Sequence, residues 1–242
     1  EIKECDWSSD VCSSDLAIEI LSAKNIDPKK PMSWGEAVAL IEKDPLISMT
    51  CRMRSSHQKL KYRMVQEYYH KNADEYLSEM EKADKLGPGS LELNPKMTIP
   101  EYTAHEIHSM PGGYVGDEFA GHIYHYGTNS FYIAVLGHNE QDQIHKSVAA
   151  RLPLPEDGKV KRILDMGCGV GQLTCALKER FPDAEVWGID VGGPMVRYSH
   201  TRANFLNNGA NFAQRLAFDT KFPDGYFDLV TSYIMQIGRA HV

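Results

Sequence analysis

The chain has 242 residues, 42% of them hydrophobic, with 33 acidic and 26 basic side chains and a formal net charge of −7. No apolar run approaches the roughly 18 residues of a membrane-spanning helix, and the composition is neither collagen-like nor low in complexity. The acidic balance argues against tight, non-specific binding to a nucleic-acid backbone, which needs a basic face. These numbers describe a mildly acidic globular chain.

The first 16 residues, "EIKECDWSSDVCSSDL", carry no helical or strand period and no apolar signal-peptide core. The stretch "DVCSSD" can be encoded as GAC GTG TGC TCT TCC GAT, whose reverse complement translates as "IGRAHV", the last six residues of the chain. We therefore expect residues 1–16 and 237–242 to be translated sequencing adapter, and residues 17–236 to be the authentic segment of a longer protein. Cys51, Cys168 and Cys175 remain in that segment without C-x-x-C spacing, which fits a reducing cytoplasm better than a disulfide framework or a zinc site.

From residue 17 to 155 the pattern is mostly helical. Ser33 and Glu36 have capping-box spacing at the start of a short helix that Pro45 closes. A longer helix is predicted over about 55–86, from the spacing of Leu60, Val65, Tyr69, Tyr76, Leu77 and Met80, with Gly87 and Pro88 as its stop. Residues 87–100, rich in Pro and Gly, read as a linker. After a helical start near Glu101, the stretch "HSMPGGYVGDEFAGHIYHYGTNSFY" reads as loops and short helices lining something, and "FYIAVLGHNEQDQIHKSVAARL" is helical up to Pro153. Residues 156–236 alternate strand and helix: "KVKRILDMG", "GQLTCALKERF", "AEVWGIDV", "PMVRYSHTRANFLNN", then the strands "ANFAQR" and "YFDLVTSYIM". That alternation predicts right-handed crossovers and a parallel sheet, an α/β fold preceded by a helical cap region.

The stretch "ILDMGCGVGQL" places Asp165, Gly167, Gly169 and Gly171 between a buried strand and a helix, where glycines let the backbone approach a ligand. Asp190, at the end of the next strand, is placed to accept hydrogen bonds from a ribose diol. A dinucleotide fingerprint needs a third glycine where Gln172 stands, and no P-loop lysine follows. The D-x-G-x-G-x-G spacing, Asp190 in "VWGIDV" and the stretch "FPDGYFDLVTS" resemble, in order, motif I and the second- and fourth-strand landmarks of class I S-adenosylmethionine-dependent methyltransferases.

That resemblance implies a Rossmann-like core, incomplete after its fourth strand, with S-adenosylmethionine as cofactor. Gly167, Cys168 and Gly169 would pass beneath its methionine part, with Asp165 near the ammonium, Asp190 on the ribose, and Val191 and Met195 flanking the adenine. Backbone groups of Leu216, Ala217 and Phe218 would read the adenine edge, since Leu216 stands where related sequences often carry Asp or Asn. The segment "HIYHYG" resembles the aromatic stretch that closes over the cofactor in several small-molecule methyltransferases, which makes Tyr124, His125 and Tyr126 the candidate acceptor-side and catalytic residues. The six histidines at 105, 108, 122, 125, 138 and 145 show no HExxH or carboxylate triad, so no metal is expected. Methyl transfer to a small molecule is the expected function, with no nucleic-acid or membrane partner and a cytoplasmic location. Methylation of a protein or RNA, and a non-catalytic nucleoside- or partner-binding module, stay open as alternatives. With the sheet cut after its fourth strand, weak activity at best is expected of the segment.

Overall fold

The computed structural model describes residues 11–136 and 140–235. Residues 1–10 and 237–242, the bulk of the two terminal stretches, and His138 lie outside the described residues. The chain divides into two compact units, Glu1–Leu60 and Lys61–Val242.

In the first unit, α1 spans Val11–Ala23. It takes in residues 11–16, where no period is visible, because the helix-forming run from Leu16 to Leu21 nucleates a helix that propagates cheaply outward. Helix α2, Trp34–Ile41, begins with the expected capping box: Glu36 N–H donates to Ser33 Oγ at 3.3 Å, and Ser33 N–H to the Glu36 carboxylate at 2.9 Å. Pro45 does not merely end α2; it opens α3, Pro45–Lys71. Asp44 caps that start, accepting from Leu46 and Ile47 N–H at 2.9 and 3.1 Å, while proline's missing N–H costs nothing in the first turn.

In the second unit, the helix predicted over 55–86 is broken into α3 and α4, Ala73–Ala83. At the break, the Asn72 side-chain amide donates to the Tyr68 carbonyl at 2.7 Å, satisfying the end of α3 while the backbone leaves helical geometry. Residues 87–100 do not run as a free linker. Strand β1, Leu91–Glu92, pairs in parallel with β4, Asn211–Gln214. Gly89 allows this approach, since a Cβ there would stand 1.9 Å from the Ala210 carbonyl oxygen. Asn211 Oδ1 also accepts from Ser90 N–H and Oγ–H at 3.1 and 2.9 Å.

The sheet is all parallel, as expected, in the order β1-β4-β3-β2-β5, with β2 at Arg162–Met166, β3 at Glu185–Asp190 and β5 at Leu229–Thr231. Helices α7, Gln172–Arg180, and α8, Gly193–Phe205, make the crossovers. Alternate strand residues enter different clusters: Ile163 and Val186 pack with Leu173, Ala176 and Leu177 of α7, while Leu164, Trp187, Ile189 and Ala213 pack on the other face with Phe222 and Phe227. From β2 the chain steps outward to β3 and β4, then returns to β5 on the opposite side of β2. The C-terminal end of β2 is thus a topological switch point, where parallel sheets bind ligands.

Two further helices lead into β2: α5, Ala120–Leu136, and α6, Glu140–Arg151. The segment "HIYHYG", expected among loops and short helices, lies within the 17-residue α5. Its glycines serve packing, since a Cβ at Gly121 would stand 2.3 Å from Tyr198 Cβ, and one at Gly127 would stand 2.4 Å from Tyr62 Cε1.

Candidate active site

The turn between β2 and α7 holds three glycines at positive φ: Gly167 at 70°, Gly169 at 54° and Gly171 at 75°. Its entry is tied to the sheet by Gly167 and Cys168 N–H, both donating to the Ile189 carbonyl at 2.8 and 3.0 Å. Its exit is packed tightly: a Cβ at Gly171 would meet Phe212 Cε1 at 2.8 Å and Ser199 Cβ at 2.9 Å. Gly169, between them, is less crowded; the nearest atom to an added Cβ is Met195 Cε, in ordinary contact at 4.0 Å. The turn therefore combines a fixed backbone with one half-buried, side-chain-free stretch.

Two carboxylates, Asp165 buried and Asp190 half-buried, hold this geometry. Asp190 accepts from Gly169 N–H at 3.0 Å and Gly192 N–H at 2.9 Å, bridging the turn to the loop after β3. Burial pushes its carboxyl up from the ordinary range, against the hydrogen bonds from Gly192, Gly169 and Val191. Two carboxylate oxygens offer about four lone-pair sites, so acceptor capacity remains for hydroxyl donors. Asp165 accepts from Thr174 Oγ1 at 2.7 Å and Thr231 Oγ1 at 2.9 Å. Burial raises its carboxyl to about 6 despite those two hydroxyls.

A cavity opens over the turn, lined by Asp165, Gly167, Cys168 and Gly169 on the sheet side and by Tyr124, His145 and Tyr233 facing them. Of the three aromatic-segment candidates, only Tyr124 lines it. His125 is turned to α8, with Nδ1 2.5 Å from the Tyr198 hydroxyl, and burial holds it near 4. Tyr126 is 59% exposed. Among the adenine-side candidates, Met195 is buried beneath Gly169, and the Val191 carbonyl accepts from Gln214 Nε2 at 3.1 Å. Residues 216–218 form an exposed turn closed by Asp219 N–H donating to the Leu216 carbonyl at 3.0 Å. Ala217 is at its tip, and Phe218 is 73% exposed. Cys168 is buried, with its thiol pushed well above the ordinary range, which leaves it a packing residue.

Gln172, the residue that breaks the dinucleotide spacing, is buried and donates from Nε2 to Asp142 Oδ1 at 2.8 Å. Asp142 also pairs with Arg202 of α8, so this position ties α6, α7 and α8 together. Sequence reasoning missed His145 and Tyr114. His145 belongs to no spaced pair, and its signal is only its place on α6, whose ring meets Tyr233 at 5.5 Å. Tyr114 packs edge-to-face on Tyr124 at 5.5 Å, and its carbonyl would lie 2.6 Å from a Cβ at Gly192. The loop carrying it thus covers the segment that Asp190 anchors.

A family model described as a methyltransferase domain matches residues 163–241. The chain is 44% identical over 71 residues to demethylmenaquinone methyltransferase of Thermus thermophilus, covering 29% of this chain and 32% of that protein. It is 30% identical over 105 residues to trans-aconitate 2-methyltransferase of Rhodopseudomonas palustris, covering 42% and 40%. The chain thus spans about a third to two fifths of the length of these curated relatives. Among solved structures, magnesium protoporphyrin IX methyltransferase from Synechocystis with bound S-adenosylmethionine aligns at 26% identity and a TM-score of 0.31, covering 40% of this chain and 46% of that one. The stretch matched by the methyltransferase-domain model takes in β2, the glycine turn at the switch point of the parallel sheet and the acidic end of β3.

Proposed function

We propose that the chain transfers a methyl group from S-adenosylmethionine to a small-molecule acceptor. The observation that carries this reading is Gly169, which lines the cavity at the switch point of the sheet with its backbone held by Asp190 at 3.0 Å and no atom nearer than 4.0 Å to where a side chain would begin. A nucleoside cofactor fits these residues: the turn at 167–169 accepts a chain passing close to the backbone, and Asp190 retains lone pairs for a ribose diol. We assign Asp165 to the end of the cofactor that carries the ammonium, and Val191, Met195 and the 216–218 turn to the adenine side. Residues 156–236 make up the cofactor-binding core in this reading, and the helical region before it supplies α5 and α6.

When bound, S-adenosylmethionine supplies a methyl group already activated by sulfonium, so the protein's task is mainly alignment and exclusion of water. Tyr124 and His145 face the glycine turn across the cavity, and we assign them the acceptor side. His145 replaces His125 as the candidate base, because its imidazole lines the cavity, whereas His125 is committed to Tyr198. The small-molecule class is supported by the names of the relatives, which act on demethylmenaquinone and trans-aconitate. Calorimetry with S-adenosylhomocysteine, S-adenosylmethionine and NAD tests the reading. Saturable binding of the first two and none of NAD is expected; NAD binding alone would overturn it.

A further inference from the structure

The N-terminal part of α3 is unlike the rest of this acidic chain. No Asp or Glu occurs between Asp44 and Glu67, while Arg52, Arg54 and Lys59 all fall in the first unit's share of the helix. Large apolar side chains stand out to solvent there: Leu46 at 52%, Met49 at 48%, Met53 at 63% and Leu60 at 57%. At about 100° per residue, these four fall within about 60° of arc, a single narrow stripe. Arg52 and Lys59 flank it on one side and Arg54 on the other, each within about 80° of its edge. Ile47, the buried residue of this stretch, points about 130° away from the stripe.

We propose that this face of α3 seats the protein on an anionic lipid surface. Charge complementarity selects an anionic partner, since the exposed Arg52 and Lys59 border the stripe and no acid interrupts it. The four side chains of the stripe are 48–63% exposed, so they stand out from the helix rather than line a groove for a peptide. A headgroup layer deforms around such a stripe, taking Met and Leu to the acyl boundary while Arg and Lys reach up to the phosphates. Among the described residues, no helix is long and apolar enough to cross a membrane, so the attachment is peripheral and reversible. It is independent of the methyl-transfer reading.

The test is cosedimentation of the full chain with vesicles of phosphatidylcholine alone and of phosphatidylcholine mixed with phosphatidylglycerol. Binding to the mixed vesicles only, weakened by added salt, is expected. The double variant R52Q/K59Q should bind about tenfold or more weakly. The indole emission of M53W should shift blue and be quenched by brominated lipid, whereas that of S55W, about 150° round the helix from the stripe, should do neither, with each variant's circular dichroism matching the parent. The proposal is overturned by absence of binding to mixed vesicles, by equal binding to both vesicle types, or by M53W emission that brominated lipid does not quench. Burial of the stripe in a self-associated form of the chain, or on an acidic peptide in preference to lipid, overturns it equally.

Discussion

Adding one methyl group at Gly171 or at Gly169 should have opposite consequences, although the two glycines are a residue apart in the same turn. Both sit in the left-handed region, at φ of 75° and 54°, so alanine at either costs about 1–2 kcal/mol in backbone strain. At Gly171 the new Cβ also meets Phe212 Cε1 at 2.8 Å and Ser199 Cβ at 2.9 Å. Phe212, on β4, is fully buried among Cys175 of α7 and Val196 and Ala203 of α8 and cannot swing aside, so overpacking adds about 1–3 kcal/mol. Gly171→Ala should thus lose roughly 2–5 kcal/mol of stability. Gly169→Ala, with its nearest neighbour at 4.0 Å, should lose only the strain. Its methyl instead enters the space assigned to the cofactor, so affinity for S-adenosylhomocysteine should fall at least about tenfold, by some 1.4 kcal/mol. Urea denaturation and calorimetry on both variants separate the effects. A Gly171→Ala protein as stable as Gly169→Ala would refute the packing argument, and unchanged ligand affinity in Gly169→Ala would refute the assignment of that space.

Three further outcomes follow from the same contacts. Asp190→Asn keeps one acceptor oxygen for the two N–H groups of Gly169 and Gly192; a loss of about 1–3 kcal/mol in denaturant midpoint analysis is expected, together with weaker S-adenosylhomocysteine binding. His122 is buried at 7% exposure among Tyr69, Tyr76, Phe119 and Tyr198, with Nδ1 lacking a partner, and burial lowers it to about 4. The unfolded chain therefore binds a proton below about pH 6.5 that the folded one refuses until about pH 4, so stability falls as pH drops through that window. His122→Phe should remove about 2 kcal/mol of the loss between pH 7 and about pH 5, measured by urea titration at each pH; an unchanged pH slope would count against the buried neutral imidazole. His145→Gln should leave S-adenosylhomocysteine affinity within about twofold in calorimetry while its absence from the cavity lowers turnover on any accepted hydroxyl substrate at least about a hundredfold; equal turnover would remove it as the base.

The strand, glycine turn and helix from β2 to α7 were legible in the sequence because their signals are local. A buried strand, a turn of spaced glycines and a helix follow one another within "ILDMGCGVGQL", and Asp190 terminates the next strand. Strand β1 was not legible, since two residues carry no period and become a strand only by pairing with β4 across Gly89. That "HIYHYG" lies inside one long helix was hidden for a related reason. Gly121 and Gly127 suggest a loop locally, but they are spaces for Tyr198 and Tyr62, which lie far off in sequence. The same tertiary contact turns His125 toward Tyr198 and leaves Tyr124 on the cavity, a distinction that neighbouring residues on one helix cannot reveal before its partners are known. The break at Asn72 depended on a single side-chain hydrogen bond that no periodicity shows.

The most direct test of the central claim is an amide NMR titration of the chain with S-adenosylhomocysteine. The account predicts saturable shifts centred on Gly167, Cys168, Gly169 and Gly192, the backbone that Ile189 and Asp190 hold in place. Absence of saturation, or shifts confined to residues away from that turn, would contradict it.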